Sequence, residues 1–283
     1  MLTYQEPKIR DLLRADFEMS GLKDFRAYKD DLYISLAGQA QMFNWLIVAV
    51  TAASPMLDSS YLEKGVFGRD IYNGMGSSRC SELGYWNFFT PVLDYSDIGA
   101  YSRSIERYIE EGLVRSASEL CYPVRLKPPG AYSLRRLRED GVSHIELRMI
   151  DLNPLADAGV DVRDVFFLQL LMVYLACQPS REMDANRQVE SIANTKNAAR
   201  FDLKTVHITN GDGVTQSVVD AAEEVLAAMK EFFRGFGEEV LEVLDFELDK
   251  FLDMHNRYAW QVRERFSDGF VKKGLEFCKF DSA

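Results

Sequence analysis

The chain has 283 residues, a net charge of −11, and 47% hydrophobic and 27% charged residues. These proportions are typical of a globular protein with a real core, and we expect one domain over residues 1–283. The acidic balance argues against nucleic acid or an anionic membrane surface as the main partner, because both need a basic footprint. Four cysteines without metal-ligand spacing, and a start without signal-peptide features, predict a cytoplasmic protein with reduced thiols.

Helical patterns dominate the chain. A short amphipathic helix is predicted at 8–19, and a long one at 28–53 that ends at Ser54-Pro55, because the residue before proline disfavours the α conformation. The apolar run 42–53 is too short to cross a bilayer and predicts a buried helix. The glycine-rich segment 63–78 predicts a functional loop. Further helices are predicted at 97–111 (capped by Asp97), 133–139, 161–175, 183–199, 216–234, 238–255 and 256–266.

Strands are predicted between about residues 75 and 150. Residues 119–127 alternate with Tyr122, Val124 and Leu126 on one face, and residues 142–150 alternate with Ile145, Leu147 and Met149 inward. Helices outnumber strands, so the fold class is α+β and helix-rich.

The polar faces of these two segments carry the chemistry. Glu146 can hold a hard cation such as Mg²⁺, and Arg148 can fork onto a phosphate. Arg125 and Lys127 share one face of the other strand, so pairing would put three cations and one carboxylate on one sheet surface. The plainer alternatives are a solvated Glu-x-Arg ion pair and an edge strand protected by exposed cations.

A second polar segment runs from Gly76 to Asn87. The glycines before Arg79 can leave backbone N–H groups free to bind an anion, and Arg79 adds a positive charge. The aromatic rings of Tyr85 and Trp86 could form flat apolar sides of a binding pocket. These features suit an amino-acid substrate, although a Tyr-Trp pair is more often core or interface than a substrate wall. Cys80 has no histidine or second acid nearby in sequence, so we do not expect a nucleophile.

Taken in order, three motifs resemble the bacterial glutamate–cysteine ligases, including the amino-terminal module of bifunctional glutathione-synthesising enzymes. The motifs are Gly76-x-Ser78-Arg79-x-Ser81-x-Leu83-Gly84-Tyr85-x-Asn87, Tyr122-Pro123-Val124-Arg125-Leu126-Lys127 and His144-Ile145-Glu146-Leu147-Arg148-x-x-Asp151-x-Asn153-Pro154. The resemblance is good over 28–177, the expected catalytic half, and looser over 178–283, an expected helical part. It implies a partial glutamine synthetase-like curved antiparallel sheet backed by helices.

The resemblance also implies the activity and the site. Such ligases join the γ-carboxylate of glutamate to the amine of cysteine with ATP, through an acyl phosphate. By resemblance, Arg148 and Arg79 are catalytic, and Arg148, Arg125 and Lys127 bind ATP. Arg79, Tyr85 and Tyr122 bind substrate, and Glu146 binds Mg²⁺.

The family's other metal-binding acids lie on an amino-terminal segment for which this chain offers no counterpart. The chain is therefore expected to match the carboxy-terminal half of a ligase and to need a separate amino-terminal half or self-association. Two alternatives stay open. One is an inactive ligase-like module that binds nucleotide or a partner. The other is a different carboxylate–amine ligase of the same superfamily.

Overall fold

A computed structural model of the chain describes residues 7–21, 24–210 and 213–277. The chain divides into two compact units, each built from three separate segments. The first unit comprises Met1–Asn44, Trp86–Arg148 and Phe166–Ile192, and the second comprises Trp45–Tyr85, Met149–Val165 and Ala193–Ala283. The expectation of a single domain stays a prediction, because a division by contacts does not show whether the units unfold together.

Three helices of the first unit begin after a capping side chain, supplied by Asp24, Asp97 and Ser133. Asp97 Oδ1 accepts a hydrogen bond from Ala100 N at 2.8 Å, and helix α4 runs from there to Glu110, as predicted. Gly112 follows with φ +70°, a conformation that favours glycine. The helices that lie wholly in this unit are α1 (Pro7–Ser20), α2 (Phe25–Met42), α4 (Ile98–Glu110) and α5 (Leu134–Asp140).

Two short strands of the first unit pair in antiparallel fashion, namely β3 (Val124–Lys127) and β4 (His144–Leu147). Val124 and Leu126 are fully buried, and Ile145 and Leu147 pack against the same core. The inward faces are therefore the predicted ones. That core also takes apolar residues from α2, α4 and α5, including Ile34, Ala37, Tyr101, Ile105 and Leu137.

The second unit contains two antiparallel hairpins and four helices of its own. The hairpins pair β1 (Met56–Asp58) with β2 (Asp70–Tyr72), and β5 (His207–Thr209) with β6 (Thr215–Ser217). The helices are α8 (Val218–Phe232), α9 (Glu238–Leu252), α10 (Tyr258–Arg265) and α11 (Phe270–Phe277). Three further helices divide their residues between the units, and they are α3 (Asn44–Thr51), α6 (Val162–Ala176) and α7 (Ala185–Ala198).

The helix-rich α+β class is confirmed, and the strands form three two-stranded ladders in the described part of the chain. Two finer predictions were wrong. Strands also occur at 56–72 and 207–217, outside the predicted interval, so the part beyond residue 178 is not purely helical. The predicted helix at 28–53 is broken at Phe43, whose N–H still bonds to the Gln39 carbonyl but whose ψ of 5° leaves the α conformation.

The predicted buried helix around 42–53 is confirmed as α3, where Leu46, Ile47 and Val48 are fully buried. Among residues 7–21, 24–210 and 213–277, no single helix has the length and hydropathy to cross a membrane. The pair α2 and α3 passes that test by length and composition alone.

Candidate functional site

Pairing of β3 with β4 assembles a charged group that we call the basic ladder, consisting of Arg125, Lys127, Glu146 and Arg148. Arg125 lies directly opposite Glu146 in the register. Lys127 Nζ lies 3.0 Å from Glu146 Oε2. The prediction that the strands would bring three cations and one carboxylate together is confirmed, and it follows from the period of two in each strand.

Arg125 is not an exposed edge residue, because its exposed fraction is only 6%. Its Nη2 donates to the Ser118 carbonyl at 2.9 Å and also to the Leu120 carbonyl. Arg148 Nη1 donates to the same Leu120 carbonyl at 3.4 Å. Burial, and next the charge of Arg148, lower the pKa of Arg125. Two guanidinium groups therefore converge on one carbonyl, which places their positive charges close together.

Glu146 fits Mg²⁺ only as one ligand of several. Its side chain is 40% exposed, yet Oε2 is buried, and the angles at Lys127 do not complete a hydrogen bond despite the short distance. Within the described residues no three His, Cys, Asp or Glu side chains cluster in a way that could hold a metal ion. Mg²⁺ needs about six oxygen ligands. The described residues therefore fit a phosphate group well and provide only part of a Mg²⁺ site.

Tyr132 lies against the basic ladder, and it was not predicted there from the sequence. Lys127 Nζ lies 4.3 Å from the centroid of the Tyr132 ring, a cation–π distance. Burial raises the pKa of Tyr132, while the charges of Arg125 and Arg148 lower it. The turn Pro128-Pro129-Gly130 was the available signal, because it reverses the chain and can return Tyr132 to the end of β3.

The second unit holds most of the other predicted cluster, 76–87, and we call residues 74–85 of this unit the arginine loop. The expectation that its backbone N–H groups are free for an anion was wrong for Gly76, Ser77 and Ser78. Gly76 N and Ser77 N both donate to the Ala199 carbonyl, at 2.8 and 3.0 Å. Ser78 N donates to the Ser54 carbonyl at 2.9 Å. These hydrogen bonds hold the loop in place, so the three N–H groups are not available to an anion.

Arg79 is the first exposed residue after that buried stretch, and its Nη1 donates to the Ile150 carbonyl at 2.6 Å. Cys80 is buried, and burial raises its pKa to about 12, which agrees with the expectation that it is not a nucleophile. Asp151 is buried, and its Oδ2 accepts from Ala53 N at 2.9 Å and from Ser54 Oγ at 2.6 Å, so it holds the backbone that follows α3.

The two tyrosines predicted to bind substrate have different surroundings. Tyr85, in the second unit, is 86% exposed, so it does not lie in the core, and its contact with a substrate stays a prediction. Tyr122, in the first unit, is 2% exposed and donates to Gln188 Oε1 at 2.8 Å. Its contact with a substrate stays a prediction, and its placement gives it a structural hydrogen bond. Trp86 packs against the core of the first unit.

Asn87 has a structural role that sequence reasoning did not assign. Its Oδ1 accepts from Cys121 N at 2.7 Å, and its Nδ2 donates to the Glu119 carbonyl at 3.1 Å. It thereby holds the segment that leads into Tyr122 and β3. The Asn87 position of the first motif and the start of the second motif are thus joined by hydrogen bonds.

The fold is that of known glutamate–cysteine ligases. The glutamate–cysteine ligase of Francisella tularensis, solved in complex with AMP, superposes with a TM-score of 0.80 and 15% identity over 96% of this chain and 62% of that one. A bifunctional glutathione synthetase from Pasteurella multocida gives a TM-score of 0.72 and 20% identity over 91% of this chain and 32% of that one.

Sequence comparison agrees. Residues 87–198 match the glutamate–cysteine ligase family model. The glutathione biosynthesis bifunctional protein GshAB of Clostridium perfringens is 27% identical over 93% of this chain and 35% of its own length. GshAB of Listeria welshimeri is 29% identical over 90% of this chain and 34% of its own length. The chain is thus similar to glutamate–cysteine ligases in fold and, over residues 87–198, in sequence, and it spans about a third of the length of these curated relatives.

Proposed function

We propose that this chain provides the phosphate-handling part of an ATP-dependent ligase that joins the γ-carboxylate of glutamate to the amine of cysteine in the cytoplasm. The basic ladder is the observation that carries the proposal, because it gathers three cations on one rigid pair of strands. A carboxylate is a poor acyl donor because its oxygen is a poor leaving group. Phosphorylation by ATP converts that oxygen into part of a phosphate, which can leave. Glutamate, cysteine and ATP are the proposed substrates.

In this proposal the γ-carboxylate oxygen attacks the terminal phosphorus of ATP, and ADP leaves. The cysteine amine then attacks the acyl carbon, and inorganic phosphate leaves. Arg148, Arg125 and Lys127 would neutralise the charge on the transferring phosphoryl group, which is the main task of a protein in phosphoryl transfer. Arg79 would hold a substrate carboxylate or the acyl phosphate, and Tyr85 would contact the cysteine side chain.

Glu146 is proposed as one Mg²⁺ ligand, and a bound Mg²⁺ would neutralise phosphate charge. The remaining ligands would be phosphate oxygens and groups outside the described residues, since those residues provide no metal-type cluster. We propose that turnover therefore requires a further part of the enzyme, either a separate chain or a second copy of this one.

Nucleotide binding tests the ladder directly. Isothermal titration of the purified chain with ATP and Mg²⁺ is compared for the parent, Arg148→Ala and Glu146→Gln. The expected result is a loss of about tenfold or more in affinity for each variant. Arg135→Ala is the control, because it removes an exposed arginine paired with Glu139 on α5. Equal affinity of all four proteins would show that the ladder is only a surface ion-pair group.

Turnover separates the remaining alternatives. The chain is incubated with ATP, Mg²⁺, glutamate and cysteine, and both ADP and γ-glutamylcysteine are measured, alone and with co-purifying proteins. Product formed only with a partner supports the split enzyme. Binding without turnover in either case supports a nucleotide-binding module, which the lack of a metal cluster among the described residues favours as the second candidate. Product with another amine in place of cysteine would identify a different ligase of the superfamily.

A further inference from the structure

The second unit contains a buried arginine that the proposed chemistry does not use. Arg257, at the start of α10, is 1% exposed. Burial lowers its pKa to about 10, and the charge of Asp202 offsets only part of that effect. Burying a guanidinium is costly unless its donors are satisfied, so its hydrogen bonds indicate what it stabilises.

Those hydrogen bonds converge on one turn. Arg257 Nη1 donates to the Phe201 carbonyl at 2.5 Å, and Nη2 donates to the Arg200 carbonyl at 3.4 Å. Trp260 reinforces the same turn, because its Nε1 donates to the Phe201 carbonyl at 3.3 Å and its ring stacks on Phe201 at 4.7 Å. The planar fork of the guanidinium therefore fixes two successive carbonyls.

The turn at 199–201 also holds the arginine loop in place. Its Ala199 carbonyl accepts from Gly76 N and Ser77 N, and Phe201 N donates to the Gly74 carbonyl at 3.0 Å. Packing at Gly76 is tight, because a Cβ there would lie 2.9 Å from the Arg200 carbonyl oxygen and 3.3 Å from Arg257 Nη2. Arg257 thus lies against the backbone that leads, three residues later, to Arg79.

We propose that Arg257 is a positioning residue for Arg79. It fixes the 199–201 turn, the turn fixes the backbone of Gly76 and Ser77, and that backbone sets where the exposed Arg79 guanidinium projects. Arg257 acts through its hydrogen bonds to the turn and is not proposed to contact a ligand. The structural part of this inference stands on the hydrogen bonds alone, whereas its consequence for ligand binding rests on the proposed function of Arg79.

Accessibility of Cys80 reports the loop without any ligand. This thiol is buried next to Arg79, and Cys80 N donates to Ser77 Oγ at 3.1 Å. Maleimide labelling of Cys80 under native conditions is followed by peptide mass spectrometry for the parent, Arg257→Lys and Arg257→Met. We expect labelling about tenfold faster in Arg257→Met, with Arg257→Lys intermediate, because an ammonium cannot fork across two carbonyls.

A destabilised control separates local from global opening. Leu244→Ala removes a buried side chain on α9 and leaves the turn intact. The rate of Cys80 labelling is compared between Leu244→Ala and the Arg257 variants, each at the urea concentration that gives all of them the same free energy of unfolding. Faster labelling in the Arg257 variants supports positioning. Equal labelling would overturn it. Should Arg257→Met fail to fold, the Arg257→Lys comparison decides.

A double-mutant cycle tests the consequence for Arg79. Glutamate affinity is measured for the parent, Arg79→Ala, Arg257→Lys and the double variant. Positioning predicts that Arg257→Lys weakens binding about tenfold in the parent and less than about twofold in the Arg79→Ala background. The same factor in both backgrounds would contradict the coupling. Should the parent not bind glutamate, the proposed role of Arg79 fails, and Cys80 labelling alone decides whether Arg257 holds the loop.

Discussion

Glu146 lies opposite Arg125 in the strand register but makes its ion pair with Lys127, at 3.0 Å. The diagonal pair leaves the buried Arg125 to the Ser118 and Leu120 carbonyls. The carboxylate of Glu146 thus pairs with Lys127, while the buried guanidinium of Arg125 donates to backbone carbonyls.

Removing Lys127 should affect nucleotide binding more than folding. Its pair with Glu146 is partly exposed, so Lys127→Met should change the free energy of unfolding by less than about 1 kcal/mol. If the ladder handles the terminal phosphates, ATP affinity should fall about tenfold and AMP affinity less than about twofold. Titration with both nucleotides measures this. Lys230→Met, which removes an exposed ion pair to Asp245, is the control and should change neither affinity.

Substitutions of Tyr122 and Tyr85 should differ in their effect on the free energy of unfolding. Tyr122→Phe removes the hydrogen bond to Gln188 and should cost about 1 kcal/mol in urea unfolding. Tyr85→Ala should leave stability within about 0.5 kcal/mol, because the side chain is exposed. Cysteine affinity, measured by titration, should fall only in Tyr85→Ala. A loss confined to Tyr122→Phe would instead place Tyr122 at the substrate.

Glu247 should make the protein less stable as the pH rises. It is buried 2.7 Å from Lys250 Nζ, and burial raises its pKa to about 8 even though Lys250 lowers it. Because the folded pKa lies above the unfolded value of about 4.3, the stabilisation contributed by this proton is complete below about pH 4.3 and is lost as the pH rises through about 8. The free energy of unfolding should fall by up to about 1.4 kcal/mol per pH unit in that window.

Glu247→Gln should remove this pH dependence, since an amide keeps the shape without the charge. Urea unfolding of both proteins at pH 6, 7, 8 and 9 should show the variant gaining on the parent up to about pH 8 and then levelling. Glu242→Gln, at an exposed position of the same helix, serves as the control. Parallel pH profiles for parent and Glu247→Gln would mean that Glu247 is already ionised in the folded protein.

Gly84 should not tolerate a side chain. A Cβ there would lie 1.8 Å from the Arg79 carbonyl oxygen, so Gly84→Ala must move the backbone of the arginine loop. We expect a loss of about 1–3 kcal/mol in the free energy of unfolding, together with weaker glutamate binding. Gly235→Ala is the matched control, because its Cβ would meet nothing within 4 Å, and its stability should be unchanged or slightly raised.

The local pattern of residues was enough to predict the elements that form the ladder. Val124 and Leu126 alternate with Arg125 and Lys127, and a period of two determines which side chains are buried whatever the strand packs against. The Asp97 cap was predictable for a similar reason, since donor and acceptor are three residues apart. The sequence by itself thus determined the helix-rich α+β class and the charged face.

Only the tertiary structure decided which polar groups are available. The Gly76 and Ser77 N–H groups are used by Ala199, more than 120 residues away in the chain, and Arg257 reaches the turn beside it. Asp151 is likewise used by Ala53 and Ser54. Such distant hydrogen-bond partners cannot be predicted from hydrophobic periodicity. Periodicity shows which face of a helix or strand is buried, but it does not show which residues cover that face.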